Sequence, residues 1–154
     1  MNKYGIIFLS VLLGIVYFGY GISYSADESG VKQKMWGQLY KDTPLKDGVK
    51  EITYNQFQML RGAKEDFVLV DVLSPESYAN GHLEGALSFP VKTINSETAR
   101  AKLAKNTFVV VYCGGFHCHS STAAAKKLSE LGYAVLDYKG GLGEWKEWGN
   151  TLVK

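Results

Sequence analysis

The run Phe108-Val-Val-Val-Tyr112 narrows what this chain can fold into more than any other segment. It is apolar at consecutive positions, so the strand it forms must be covered on both faces. The pattern changes as soon as the run ends. Cys113 closes it, a loop rich in glycine and histidine follows, and Ser120 to Leu131 reads as a helix closed by Gly132. Ala123, Ala124 and Leu128 let that helix pack closely, and Ala134 to Tyr138 then returns as a last strand.

The same alternation runs back toward the N-terminus. Glu51 to Thr53 reads as a short strand, and Tyr54 to Arg61 as a helix with Asn55 near its start. Phe67 to Val72 reads as a buried strand with Asp71 at its end. Ser74 is placed to cap a helix with Pro75 at the first helical position, Glu76 in the first turn and Gly81 as the stop. Leu87 to Phe89 is a further short strand, and residues 95–104 a further helix. Strands alternating with helices predict an α/β domain built on a mainly parallel sheet with helices on both faces. Ligands of such sheets bind beyond the carboxyl ends of the strands, which is where Cys113 falls.

A chain of 154 residues with 46% hydrophobic content has room for one domain and one core. The formal charge of +2 drops to +1 when Lys3 is set aside, so there is no basic field to bind nucleic acid. The N-terminus has its own character. Lys3 precedes an uncharged apolar run from Tyr4 to Ile22, followed by Ser23-Tyr24-Ser25-Ala26. That order predicts a signal peptide over residues 1–25 cleaved after Ser25, or else an uncleaved anchor, the only membrane contact expected. Either way the rest of the chain is expected outside the cytoplasm, periplasmic or membrane-anchored. Residues 26–50 are polar and punctuated by Gly30, Gly37, Pro44 and Gly48. They read as an arm that lays Met35, Trp36, Leu39 and Tyr40 on the surface of a domain spanning 51–154.

Several segments together resemble the rhodanese-like domain family. They are Asp71-Val-Leu-Ser-Pro-Glu-Ser-Tyr-Ala-Asn-Gly-His-Leu-Glu-Gly-Ala-Leu-Ser-Phe-Pro90, Val-Val-Tyr-Cys113 running into a helix, Leu-Gly-Tyr133, and Gly140-Gly-Leu-Gly-Glu-Trp145. The resemblance covers roughly Glu51 to Trp148. It implies an α/β sheet fold and a sulfurtransferase in which Cys113 carries sulfane sulfur as a persulfide. Gly114, Gly115, Phe116, His117, His119 and Ser120 would form the substrate-binding loop, with Asp71 and His82 in support. It implies a small sulfur donor such as thiosulfate or polysulfide, a thiol acceptor that is a small molecule or a partner protein, and no cofactor. Many active members have an arginine five residues after the cysteine, where it helps bind an oxyanion; this chain has Cys118 there.

The residues themselves fit a reactive sulfur. A thiol reacts as thiolate, and helix N-terminal amides lower its pKa. Gly114 and Gly115 allow the backbone to curl its amides inward, and Ser120 or Ser121 is expected to cap the helix that follows. Cys118 has three readings. It attacks a persulfide on Cys113 or closes a disulfide with it, it is a passive loop residue, or it joins Cys113, His117 and His119 around a soft metal. A dithiol oxidoreductase using both cysteines and a binding module without turnover are the rival functions. His82 reads first as a structural histidine, Asp71 as a holder of loop backbone whose carboxylate is also placed to tune Cys113, and Trp145 and Trp148 as core and covering residues.

Overall fold

The fold follows from a computed structural model that describes residues 28–64 and 66–154. The predicted signal or anchor segment lies outside the described residues. Among those described, no helix is long and apolar enough to cross a membrane.

Strands form at or near each of the predicted runs, the first starting two residues earlier than Glu51 and ending before Thr53. They are β2 (Val49–Ile52), β3 (Val68–Asp71), β4 (Leu87–Ser88), β5 (Phe108–Tyr112) and β6 (Ala134–Tyr138). With β1 (Leu45–Lys46) they make a six-stranded sheet in the order β1-β2-β6-β5-β3-β4. Every pairing is parallel except β1 with β2. β5 therefore lies in the middle, flanked by β3 and β6.

Alternation along β5 divides the core. Val109, Val111 and Cys113 join the cluster under α5 (Ser120–Glu130) and α4 (Ser96–Lys102), with Ala124, Ala125 and Leu128 packed against them. Val110 and Tyr112 point into the opposite cluster with Phe57, Leu60, Tyr138 and Trp145, contributed by α2 (Tyr54–Gly62), β6 and α6 (Gly141–Glu147). Both faces of the sheet are thus closed, as an unbroken apolar strand requires.

The helix ends are chemically specific. In α3 (Pro75–Asn80) the Ser74 hydroxyl accepts from the Ser77 amide, with Pro75 opening the helix and Gly81 ending it. α2 is capped by Thr53, which the sequence placed at the end of the preceding strand: Thr53 and Gln56 satisfy each other's backbone amides in a capping box. Asn95 does the same for α4 with Thr98.

Residues 28–50 differ from the expected surface arm. From Glu28 to Asp42 the chain is helix α1, and Trp36 on it is fully buried, stacked on Phe67 at 5.9 Å and close to Phe108 at 5.0 Å. Leu39 and Tyr40, three and four residues on, pack against the same cluster and help tie the helix to the sheet. β1 and β2 then form a hairpin whose turn places Asp47 at φ 52° and Gly48 at φ 79°. An Asp-Gly pair is suited to that mirror-image turn, and its twist matches the strands on either side.

Candidate functional site

Register builds the site. Tyr112 pairs with Asp71 on one side and with Tyr138 on the other. The chain therefore leaves the sheet at Val72, Cys113 and Lys139 side by side, at the carboxyl edge of the three central strands.

Cys113 is fully buried, and its sulfur is in disulfide contact with Cys118, the two Cα atoms lying 6.4 Å apart. A short turn makes this possible, closed by the Cys118 amide donating to the Gly115 carbonyl at 2.8 Å. Two other groups face the Cys113 sulfur, the Cys118 carbonyl oxygen and the Ser121 hydroxyl, each at 3.4 Å. The amide cradle predicted around the sulfur is altered accordingly. The Cys118 amide is committed to the turn, and what approaches the sulfur is a carbonyl and a hydroxyl.

The predicted serine cap is also corrected. α5 has His119 at its N-cap position with no side-chain cap bond, and Ser121 is buried against Cys113 inside the first turn. The serine that sequence placed as a cap serves the sulfur instead.

The loop is held from outside by the start of α6. The Leu142 amide donates to the Cys113 carbonyl and the Gly143 amide to the Gly114 carbonyl, both at 2.9 Å. This close approach is why glycine is needed at 141. Its φ is +51°, and a Cβ there would run into the Cys113 carbonyl. The Gly140-Gly141 element is thus a backbone clamp on the cysteine loop.

Two openings flank the loop. One, of about 320 Å³, is lined by Gly114, Phe116, His117, Cys118, Glu144 and Glu147. Phe116 is 56% exposed at its rim. The other, of about 530 Å³, lies beside His119 and is lined by Lys46, Asp47, Glu51, Lys126 and Lys139. Gly114, Gly115, Phe116, His117 and Cys118 thus line the first opening, His119 lines the second, and Ser120 begins α5. Among the described residues no three His, Cys, Asp or Glu side chains are grouped to hold a metal ion.

Asp71 and His82 belong to a neighbouring polar group. Asp71 Oδ1 accepts from the Leu73 amide at 2.9 Å while its other oxygen is buried without a partner among the described residues. Burial pushes its carboxyl above the usual range, opposed by the Leu73 amide. His82 stacks on Tyr78 at 3.7 Å, faces the Tyr78 carbonyl through Nδ1, and pairs its backbone with Val153. Its contacts are with α3 and the C-terminus. Trp145 is buried and its indole donates to the Thr151 carbonyl, whereas Trp148 is 61% exposed and stacks on Tyr54 at 4.9 Å.

Sequence reasoning missed Lys139 and Asp137. Lys139 Nζ donates to the Cys118 carbonyl at 2.6 Å and to the Thr122 hydroxyl at 3.0 Å. Thr122 in turn donates to Asp137 Oδ2 at 3.0 Å. Burial raises the Asp137 carboxyl above its ordinary value, with the Ser121 and Thr122 hydroxyls and the Lys139 charge pulling the other way. The available signal was an aspartate inside an otherwise apolar strand, since a buried carboxylate needs partners.

Residues 53–147 match the family model described as the rhodanese-like domain. The chain is 38% identical to the thiosulfate sulfurtransferase PspE of Escherichia coli (strain K12), over 47% of this chain and 68% of that protein. It is 33% identical to the thiosulfate sulfurtransferase GlpE of Stutzerimonas stutzeri (strain A1501), over 63% of this chain and 84% of that protein. Two larger curated relatives are matched over only 33% and 43% of their lengths. Among solved structures, the BH2092 protein of Bacillus halodurans superposes with a TM-score of 0.62 at 25% identity, covering 82% of this chain and 85% of that one.

Proposed function

The chain belongs to the rhodanese-like domain family, and from that membership we propose that it is an exported sulfurtransferase that carries sulfane sulfur as a persulfide on Cys113 and passes it to a thiol acceptor. The observation that carries this reading is the placement of Cys113. It ends the central strand, its carbonyl is pinned by the Leu142 amide, and Cys118 lies within bonding contact of its sulfur.

Chemistry starts from the reduced pair. The Cys113 thiolate attacks the outer sulfur of thiosulfate, the S–S bond breaks, and sulfite leaves with the bonding electrons. The product is an anionic Cys113 persulfide. An external thiolate then attacks the outer sulfur and restores the Cys113 thiolate. When Cys118 attacks the inner sulfur instead, hydrosulfide leaves, a Cys113–Cys118 disulfide forms, and an external dithiol must reduce it before another cycle. The thiosulfate relatives support thiosulfate as a donor class, and the opening beside Phe116 and His117 supports an approach from that side. Export rests on Lys3, the Tyr4 to Ile22 run and Ser23-Tyr24-Ser25.

The disulfide favours one second reading, a dithiol oxidoreductase cycling Cys113 and Cys118. Sulfite release separates the two. Reduced protein mixed with thiosulfate should release one sulfite per Cys113, and Cys113→Ser should release none. Thiol–disulfide exchange without sulfite release would select the oxidoreductase, and neither activity would leave a binding module.

A further inference from the structure

The loop from Cys113 to His119 contains no lysine or arginine, yet an ammonium reaches it from the residue that follows β6. We propose that Lys139 is the positioning residue that sets the charge balance at Cys113, acting through the Cys118 carbonyl to favour the thiolate and the anionic persulfide. The inference rests on Cys113 being the sulfur carrier.

The argument turns on one oxygen atom. The Cys118 carbonyl faces the Cys113 sulfur at 3.4 Å. Left alone, an acceptor so placed favours the neutral thiol, which can donate to it, and disfavours a thiolate, which it repels. Lys139 Nζ lies closer to the same oxygen, at 2.6 Å, and draws on its lone pairs with a full positive charge. The carbonyl's bias against a sulfur anion is thereby offset at its source.

Lys139 is itself fixed by a relay. Its second bond goes to the Thr122 hydroxyl, which donates to the Asp137 carboxylate buried below. The ammonium is therefore anchored on α5 through Thr122 and linked through that hydroxyl to Asp137 on β6, while its flank opens to the cleft shared with Lys46 and Lys126. The carbonyl belongs to the main chain, so substituting the side chain at 118 leaves the contacting oxygen in place in the chain.

Other charges near the loop bear on how Cys113 titrates. Asp71 and Asp137 end or lie in neighbouring strands, Glu51 faces Asp137 from β2, and Glu144 and Glu147 face the loop from α6. Lys46, Asp47 and Lys126 line the cleft beside His119, and His117 lines the opposite opening. Lys139 is distinguished from them by its direct bond to the carbonyl that faces the sulfur.

The test uses Cys118→Ser as background, which leaves Cys113 as the one thiol. The rate of its alkylation by iodoacetamide is followed against pH for Lys139, Lys139→Gln, Lys139→Met, Lys139→Arg and Lys126→Met. Gln and Met should each displace the profile upward and slow alkylation at neutral pH by roughly 10-fold, the equivalent of about one pKa unit. Arg should restore most of the rate, and Lys126→Met should leave the profile in place. Gln retains a donor for the carbonyl, so it keeps the loop held while removing the charge. An unchanged profile for Gln and Met, or an equal displacement by Lys126→Met, overturns the proposal. Alkylation needs no sulfur donor, so a failure here is distinct from a failure of Cys113 to take up sulfur.

Discussion

The sulfur of Cys113 is in disulfide contact with that of Cys118, five residues on, across a turn closed by the Gly115 carbonyl. The residue proposed to carry sulfur is therefore blocked in the oxidised chain. Sulfur uptake should be absent from the oxidised protein and appear after reduction. Thiol titration checks the premise: no reactive thiol before reduction and two after it, with thiosulfate-dependent sulfite release only in the second state.

Cys118→Ser separates loading from release. The variant should accept sulfur on Cys113, because the sulfur's address is set by β5 and by the α6 amides. Hydrosulfide release without an added thiol should fall by about 10²-fold or more, since an intramolecular attack at high effective molarity has been removed. Sulfide measured after a single loading reads this directly. Undiminished release would make Cys118 a bystander.

Gly141→Ala tests the clamp. A side chain there meets the Cys113 carbonyl on a backbone with positive φ, so strain and lost contact act together. A loss of about 1–3 kcal/mol is expected in urea unfolding, with sulfite release reduced more than stability alone explains.

Trp36→Ala tests whether α1 belongs to the folded unit. Emptying a fully buried indole site should cost about 3–5 kcal/mol, visible as a lower denaturation midpoint. A change below about 0.5 kcal/mol would return this segment to the surface role its composition suggested.

That segment shows where sequence reading stopped. β5, β6 and the helix between them were legible because an unbroken apolar run, an alanine-rich helical face and a terminal glycine all point the same way. Ser74-Pro75-Glu76 was legible because each residue has a specific place at a helix start. α1 was not, because its apolar stripe is short, Trp36 with Leu39 and Tyr40 at i+3 and i+4, and is set among polar residues and glycines. The Asp47-Gly48 pair carries a readable turn signal. Cys113 and its loop could be read from the strand-to-helix switch. The reach of Lys139 could not, because it depends on which strand lies beside β5.

Asp71 and Asp137 give the stability profile a definite sign. Burial raises both carboxyl pKa values in the folded state, so the folded chain holds protons that the unfolded chain has released. Their contribution is favourable below the unfolded carboxylate range, near pH 4, and is lost as pH rises through the raised folded values. Asp137→Asn should remove that part of the decline. Its stability relative to the parent should rise as pH is raised above the unfolded carboxylate range, as followed by urea denaturation against pH. A constant difference between the two would contradict the burial argument.

The most direct test of sulfur transfer is the intact mass of the reduced domain after exposure to thiosulfate. One added sulfur atom is predicted, removable by a thiol and located on Cys113 by peptide mapping, with no addition to Cys113→Ser. A reduced parent protein that gains no sulfur, or a Cys113→Ser variant that gains it as readily, would contradict the account.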